Sequence, residues 1–248
     1  MATCYNDNVL YIGLPRCGST SIGGTRHDDG TVTGGYLNDT IPGMSARGLR
    51  TGHEALADVL ALLGRPADSF KLILASIRDP YEQRASQFAF LRKRCGRHKA
   101  EGTAYKDHYA GDLLAMQSTF PDWLANEAAI GANLFCGDKW RQFGDVYRWW
   151  LEINGQLENI PNLRVFRLED AETVLPELTK PFRTRSVEIP KHNASGATPE
   201  YMSHYTARGK QIVEEQFRWA FLQYYRTRPL HELRGQTSGK KILATSGG

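Results

Sequence analysis

Three short apolar runs stand out along the chain, and hydrophobic residues recur at helical spacing between them. The runs predict strands at residues 9–14, 72–77 and 163–168. Between the first two strands, HEALADVLALLG has an apolar helical face, and Gly64 followed by Pro66 predicts where that helix ends. Because strands alternate with helices, the pattern predicts an α/β fold with a central parallel sheet flanked by helices.

A second helix start follows the strand at residues 72–77, in the segment RDPYEQRASQF. Asp79 is a suitable N-cap, and Pro80 fits the first helical position because its missing N–H is not needed there. Glu82 is spaced to close a capping box with Asp79. The chain therefore passes from strand to helix here much as it does after the first strand.

The hydrophobic pattern of the remaining residues predicts two further helices and the domain organisation. Residues 140–153 predict an aromatic-rich helix, and residues 199–226 predict one long terminal helix. Residues 96–137 begin polar and irregular and are the expected substrate-side insertion, with a helical piece at 120–129. We expect one domain over residues 1–237 and a flexible tail over residues 238–248.

Net charge, the absence of long apolar runs and the cysteine spacing exclude some classes of protein. A net charge of +4 suits an anionic ligand, but the chain lacks the dense basic patch that nucleic-acid binding requires. No signal peptide and no apolar run of membrane-spanning length is present, so a soluble, cytoplasmic protein is expected. The four cysteines are far apart, which predicts reduced structural thiols rather than a zinc site or disulfides. No pattern indicates an oligomeric state.

The segment YIGLPRCGST joins the first strand to a glycine-containing turn. A Walker A loop would place a lysine after its second glycine, but Ser19 follows Gly18 here and the nearest cation is Arg16. The strand at residues 72–77 ends in Arg78 rather than in a magnesium-binding aspartate. These features favour a loop that holds an anion through backbone N–H groups, hydroxyls and a guanidinium, without magnesium.

Arg78 provides a second cation at a comparable place. It follows a predicted parallel strand at the carboxyl end, where ligands of open α/β sheets bind. Ser86 lies about two turns into the next helix and is expected to face the same crevice. Two anion clamps predict a ligand with two anionic ends.

At this point the motifs resemble those of a known family. IGLPRCGSTSI resembles the 5′-phosphosulfate loop of the sulfotransferases that use 3′-phosphoadenosine 5′-phosphosulfate, and SIRDPYEQRASQF resembles their 3′-phosphate element. TGHEALADV, NLRVFRLEDAETVLPEL and the KHNAS loop resemble parts of the carbohydrate sulfotransferases of the uronosyl 2-O-type. The resemblance covers most of residues 9–226 and implies a P-loop-like sulfotransferase fold.

The resemblance implies transfer of a sulfuryl group from that donor to an acceptor hydroxyl, with a carbohydrate as the expected acceptor and no metal. It assigns three groups of donor-binding residues. They are the loop residues Pro15, Arg16, Cys17, Gly18, Ser19, Thr20 and Ser21, the pair Arg78 and Ser86 for the 3′-phosphate, and Lys191, Asn193 and Ser195 in a loop expected to close over donor or acceptor. Arg16 stands where these enzymes have a lysine, and it is the candidate for stabilising the leaving oxygen.

His53 is the candidate catalytic base, because an imidazole titrates near neutral pH and His53 matches the histidine before the family's first helix. Two alternatives stay open: Glu54 as the base, and His53 as a helix cap. We expect Glu169 and Asp170 to provide a helix cap and a structural contact.

Other functions also remain open on the sequence. A nucleotide kinase would need magnesium and ATP, and a non-catalytic relative would keep the fold as a binding module. The basic cluster of Arg92, Lys93, Arg94, Arg97, His98 and Lys99 either attracts an anionic acceptor or is a solvated helix end.

Overall fold

A four-stranded sheet lies at the centre of the computed structural model, which describes residues 3–28, 31–47, 49, 53–100, 110–126, 144–157, 159–190 and 201–225. The strands are β1 (Cys4–Tyr5), β2 (Val9–Ile12), β3 (Thr25–Arg26), β4 (Val32–Thr33), β5 (Leu72–Ile77) and β6 (Leu163–Arg167). The order in the central sheet is β1-β2-β5-β6, and β3 pairs with β4 in a separate hairpin. The predicted α/β class is confirmed.

The central sheet is mixed rather than wholly parallel. Strands β2, β5 and β6 run parallel, as predicted, but β1 joins β2 antiparallel at the edge. A two-residue strand is too short to show any period in the sequence, which is why the pattern did not predict it. Every residue of β2 and β5 is buried, as expected of parallel strands covered on both faces.

Ten α-helices pack around this sheet in the described part of the chain. They are α1 (Ser19–Gly23), α2 (Tyr36–Thr40), α3 (Leu56–Leu63), α4 (Pro80–Ala100), α5 (Ala110–Gln117), α6 (Phe120–Ala125), α7 (Val146–Leu151), α8 (Ala171–Thr179), α9 (Ala207–Gln216) and α10 (Arg218–Tyr224). Short 3₁₀ turns occur at Ala67–Ser69, Leu168–Asp170 and Tyr201–His204. None of the helices among these described residues is both long and apolar enough to cross a membrane.

Two predicted strands end earlier than the sequence indicated. β2 stops at Ile12 because the Gly13 N–H donates to the Thr3 hydroxyl at 2.9 Å instead of joining the ladder. β6 stops at Arg167 because Leu168 already begins a 3₁₀ turn. Helix α3 ends at Leu63, so the predicted end of this helix is confirmed, and Gly64 follows it in the left-handed conformation that often ends a helix.

The prediction of one long terminal helix over residues 199–226 is wrong. Phe217 interrupts it with φ −120° and ψ 30°, so α9 and α10 are separate helices. Asp145 stabilises the break, because its Oδ2 accepts the N–H groups of Trp219 and Ala220 at 2.8 and 3.3 Å. The apolar face continues across Phe217, and for this reason the sequence pattern reads as a single helix.

Asp145 also begins α7, because its Oδ1 accepts the Arg148 N–H at 3.0 Å. In the described residues the aromatic-rich helix predicted at 140–153 covers only Val146–Leu151, and residues 140–143 lie outside the described residues. The expected insertion at 96–137 is described only in part, by the end of α4 and by α5 and α6. The tail at residues 238–248 lies outside the described residues.

Candidate functional site

Three loops leave the same edge of the sheet, because the carboxyl ends of parallel strands lie together. The loop after β2, residues 13–18, is called the first loop below. Arg78 follows β5 directly, and Leu168 follows β6. The sequence motifs that were predicted to bind an anion therefore meet at one edge.

Carbonyl groups of the first loop point toward protein donors. The carbonyl oxygen of Gly13 accepts a hydrogen bond from His53 Nδ1, and that of Pro15 accepts one from Gln83 Nε2 at 3.3 Å. The Cys17 carbonyl accepts the Ser76 hydroxyl at 2.6 Å. Two N–H groups of the loop also donate within the protein, that of Gly13 to the Thr3 hydroxyl at 2.9 Å and that of Cys17 to the Leu14 carbonyl at 3.3 Å, so these contacts hold the loop in one shape beside Arg16.

The first loop turns through two left-handed residues. Arg16 has φ 63° and Gly18 has φ 80°. A Cβ on Gly18 would lie only 2.4 Å from Leu168 Cδ1, so the loop approaches the end of β6 closely. Both the left-handed backbone and the lack of space for a Cβ require glycine at position 18.

Arg16 extends from the first loop to α4. Its Nε and Nη2 donate to the Ser86 hydroxyl oxygen at 3.1 and 3.0 Å, and its guanidinium lies 4.7 Å from the centre of the Phe90 ring. Ser86 is completely buried. In this geometry Ser86 orients Arg16 instead of presenting a hydroxyl at the surface of the crevice.

Arg78 lies close to Arg16 at the start of α4. Its Nε pairs with Glu82 Oε2 at 3.1 Å. Burial lowers the pKa of Arg16, and the charge of nearby Arg78 lowers it further. Two neighbouring guanidiniums that repel each other form a site that an anion would stabilise.

The predicted capping box at α4 is only half formed. Asp79 is the N-cap, since its Oδ1 accepts the N–H groups of Tyr81 and Glu82 at 3.0 and 3.2 Å. Glu82 pairs with Arg78 instead of closing the box, and the Asp79 N–H donates to Glu169 Oε1 at 2.9 Å. The expectation that Glu169 makes a structural contact is confirmed. Asp170 pairs with Arg167 at 2.6 Å.

The hydroxyl residues of the first helix are less accessible than the sequence suggested. Ser19, Thr20 and Ser21 are all buried at the start of α1. Arg16 and Gly18 are partly exposed, whereas Pro15 and Cys17 are buried. An anion at the first loop therefore reaches Arg16 and the Gly18 backbone before it reaches the three hydroxyl groups.

His53 lies against the first loop, as its contact with Gly13 shows. It is buried, and burial lowers its pKa to about 4, while the Gly13 carbonyl opposes that shift. The expectation that this imidazole titrates near neutral pH is therefore wrong: it is neutral at pH 7, and burial makes it a weaker base. Because Nδ1 faces a carbonyl oxygen, Nδ1 carries the proton, which leaves the lone pair on Nε2. Since Ala55 rather than His53 is the N-cap of α3, the helix-cap alternative is wrong.

Several residues that stabilise the site had no signal in the sequence. Tyr147 on α7 donates its hydroxyl proton to the Arg78 carbonyl at 2.9 Å and lies 3.5 Å from Cys17 Sγ. Ser76 links the first loop to Tyr11 through a 2.8 Å hydrogen bond between the two hydroxyls. In the sequence, Tyr147 is one of several aromatic residues that are typical of a buried helix. Only its contacts in the folded chain distinguish it from its neighbours.

Other predicted residues are placed only in part. Lys191, Asn193 and Ser195 lie outside the described residues. In the basic cluster, the guanidiniums of Arg92 and Arg94 lie over the rings of Phe88 and Phe90, at 5.5 and 5.3 Å. Within the described ranges no group of three or more histidine, cysteine, aspartate or glutamate side chains is arranged to hold a metal ion.

Comparison of the chain with protein-family models, with curated proteins and with solved structures gave no match. The family resemblance therefore rests on the sequence motifs, and the geometry of the site provides the remaining support for a function.

Proposed function

We propose that this protein is a sulfotransferase with a P-loop-like sulfotransferase fold, which uses 3′-phosphoadenosine 5′-phosphosulfate as donor and a hydroxyl group, expected to be on a carbohydrate, as acceptor. One observation carries the proposal: Arg16 and Arg78, from the two motifs, both lie at the carboxyl edge of the parallel strands, and they are close enough for the charge of Arg78 to lower the pKa of Arg16. This supports the inference that the two motifs supply one cationic site.

The donor would be held by charge and by backbone donors. Arg16 and the Gly18 backbone would contact the 5′-phosphosulfate, because they are the partly exposed groups of the first loop. Arg78 would bind the 3′-phosphate through its terminal nitrogens while its Nε remains paired with Glu82. Ser86 would orient Arg16, a role that differs from the direct phosphate contact that the sequence suggested.

The transfer itself requires alignment, charge stabilisation and a proton acceptor. The acceptor oxygen forms a bond to sulfur while the bond from sulfur to the 5′-phosphate oxygen breaks, and the electron pair remains on the phosphate. Arg16 would stabilise that developing charge. His53 would take the acceptor proton at Nε2, since its Nδ1 proton is committed to the Gly13 carbonyl.

The same residues disfavour a magnesium-dependent kinase. No lysine follows Gly18, and β5 ends in an arginine that pairs with Glu82 rather than in a metal-binding aspartate. The loop geometry supports anion binding in general, and the two arginines favour a ligand with more than one anionic group.

Calorimetric titration with 3′-phosphoadenosine 5′-phosphate, beside a titration with ATP and magnesium, tests the proposal. The wild type is compared with Arg78→Ala and with Arg65→Ala. Arg65 is a matched control, because its Nε bonds to Ser69 at 3.2 Å and its guanidinium lies 4.0 Å from the Phe70 ring centre. It contacts the carbonyls of Asn6 and Asp7 before β2, at the opposite edge of the sheet.

We expect the bisphosphate to bind the wild type and Arg65→Ala equally, and Arg78→Ala about 10- to 100-fold more weakly, as for loss of a charged hydrogen bond. Binding of ATP with magnesium but not of the bisphosphate would overturn the proposal in favour of a kinase. Binding without transfer to any hydroxyl acceptor would favour the non-catalytic relative. In an assay with a competent acceptor, His53→Ala should reduce the transfer rate by roughly 10²- to 10⁴-fold.

A further inference from the structure

The peptide group between Arg78 and Asp79 is held on both sides by side chains from distant parts of the chain. Its carbonyl oxygen accepts the Tyr147 hydroxyl at 2.9 Å, and its N–H donates to Glu169 Oε1 at 2.9 Å. The other carboxylate oxygen of Glu169 accepts the Tyr225 hydroxyl at 3.0 Å. Hydrogen bonds of ordinary length on the carbonyl and on the N–H fix the plane of the peptide between Arg78 and Asp79.

We propose that Tyr147 is a positioning residue, which acts through this peptide plane to aim the Arg78 side chain at the anion. The inference rests on the proposed function for the identity of that anion. Arg78 leaves the backbone next to the clamped peptide, so rotation of that plane would redirect its guanidinium.

Tyr147 is suited to this role because its own position is fixed. The side chain is buried, and its ring contacts the Phe217 ring edge to face with centres 4.8 Å apart. The helix that carries it begins at Asp145, which also caps α10. Burial raises the pKa of Tyr147 well above its usual value, so the hydroxyl stays protonated and remains a donor.

The same hydroxyl also relates the two motifs to each other. Cys17 Sγ of the first loop lies 3.5 Å from the Tyr147 oxygen, and burial raises the pKa of the Cys17 thiol to about 12, so the sulfur remains an S–H group. Tyr147 thus contacts the loop that carries Arg16 and the peptide that carries Arg78. One hydroxyl is therefore in contact with both motifs.

Tyr147→Phe tests the inference, because it removes the hydroxyl and keeps the ring. Tyr36→Phe is the control, since Tyr36 is equally buried and its hydroxyl bonds only to the Thr179 hydroxyl, at 3.2 Å, in the described part of the chain. The first measurement is hydrogen exchange of the Asp79 amide, which needs no ligand. We expect faster exchange at Asp79 in Tyr147→Phe and an unchanged rate in Tyr36→Phe.

The second measurement is the Kd for 3′-phosphoadenosine 5′-phosphate. We expect Tyr147→Phe to weaken binding about tenfold, as for loss of one positioning hydrogen bond, and Tyr36→Phe to leave the Kd unchanged. In an Arg78→Ala background the Tyr147→Phe change should have no further effect, because its effect passes through Arg78. The inference would be overturned if Tyr147→Phe weakened binding by the same factor in the Arg78→Ala background as in the wild type.

The two measurements separate failure of this inference from failure of the proposed function. If the wild type does not bind the bisphosphate, the proposed function fails, while the exchange rate of Asp79 still supports or overturns the clamp. Unchanged exchange in Tyr147→Phe overturns the inference whatever the ligand. Should Tyr147→Phe fail to fold, Tyr225→Phe loosens the same peptide through Glu169 and should show both effects to a smaller degree.

Discussion

Arg16 and Ser86 are 70 residues apart in sequence, and two hydrogen bonds of 3.1 and 3.0 Å join them in the folded chain. The contact connects the loop after β2 to the helix after β5. It also fixes the direction of a guanidinium whose backbone is in the left-handed conformation, at φ 63°. The position of the Arg16 charge at the candidate site therefore depends on its contact with Ser86.

Replacement of Arg16 should weaken anion binding specifically. We expect Arg16→Ala to raise the Kd for 3′-phosphoadenosine 5′-phosphate by about 10- to 100-fold, because a charge-assisted contact is lost. The Kd of Arg16→Lys should lie between those of the wild type and Arg16→Ala. An ammonium keeps the charge but loses the planar guanidinium that donates two hydrogen bonds to Ser86. Calorimetry measures both variants, with Arg65→Ala as control, and equal affinities for Arg16→Ala and Arg65→Ala would contradict the assignment.

A side chain at position 18 should destabilise the fold. Gly18→Ala combines a left-handed backbone at φ 80° with a Cβ 2.4 Å from Leu168 Cδ1, and we expect a loss of about 2–4 kcal/mol. Gly43→Ala is the matched control, because Gly43 has φ 74° and nothing within 4 Å of its added Cβ. Urea denaturation should show a smaller loss for Gly43→Ala, of about 1 kcal/mol, which is the cost of the backbone alone.

The contact with Leu168 can be tested separately from the backbone conformation. Adding Leu168→Ala to Gly18→Ala removes the clash and should make the combined loss smaller than the sum of the two single losses. Simple additivity in urea denaturation would show that Leu168 does not limit the space at Gly18.

His53 should make stability depend on pH below neutrality. Its pKa in the folded chain is about 4, whereas the ordinary value is 6.5. The unfolded chain therefore takes up a proton first as pH falls, so the stabilisation is complete above pH 6.5 and is lost progressively between pH 6.5 and pH 4. The difference between these two pKa values corresponds to roughly 3 kcal/mol in the free energy of unfolding.

His53→Asn checks this expectation, since its side-chain amide can still donate to the Gly13 carbonyl. The variant should lose less free energy of unfolding than the wild type between pH 6.5 and pH 4. His27→Asn makes the same change at an exposed histidine in the β3–β4 hairpin and is the matched control. Parallel curves for the wild type and His53→Asn would show that this imidazole does not titrate as expected.

Asp145 should be more important to stability than an ordinary helix cap. It accepts N–H groups from the first turns of both α7 and α10, so Asp145→Ala exposes two helix starts at once. We expect a loss of about 2–3 kcal/mol, the sum of two caps. Thr206→Ala removes one cap, from α9, and should cost about 1 kcal/mol in the same denaturation experiment. Equal losses would mean that only one of the two Asp145 contacts contributes.

The sequence by itself determined the local elements of this protein. Apolar runs located three parallel strands, and Asp79 with Pro80 located the start of α4, because these signals depend on neighbouring residues only. The positions of Gly18 and Arg78 after predicted strands likewise mark them in the sequence as candidate anion-binding groups.

Tertiary structure decided which partners those residues have. Glu82 has the spacing of a capping box but pairs with Arg78, while the Asp79 N–H is satisfied by Glu169, 90 residues away. The two-residue strand β1 and the break at Phe217 likewise depend on partners elsewhere in the chain, namely β2 and Asp145. A hydrogen bond is satisfied by whichever donor or acceptor folding brings within reach, and sequence spacing predicts only the near ones.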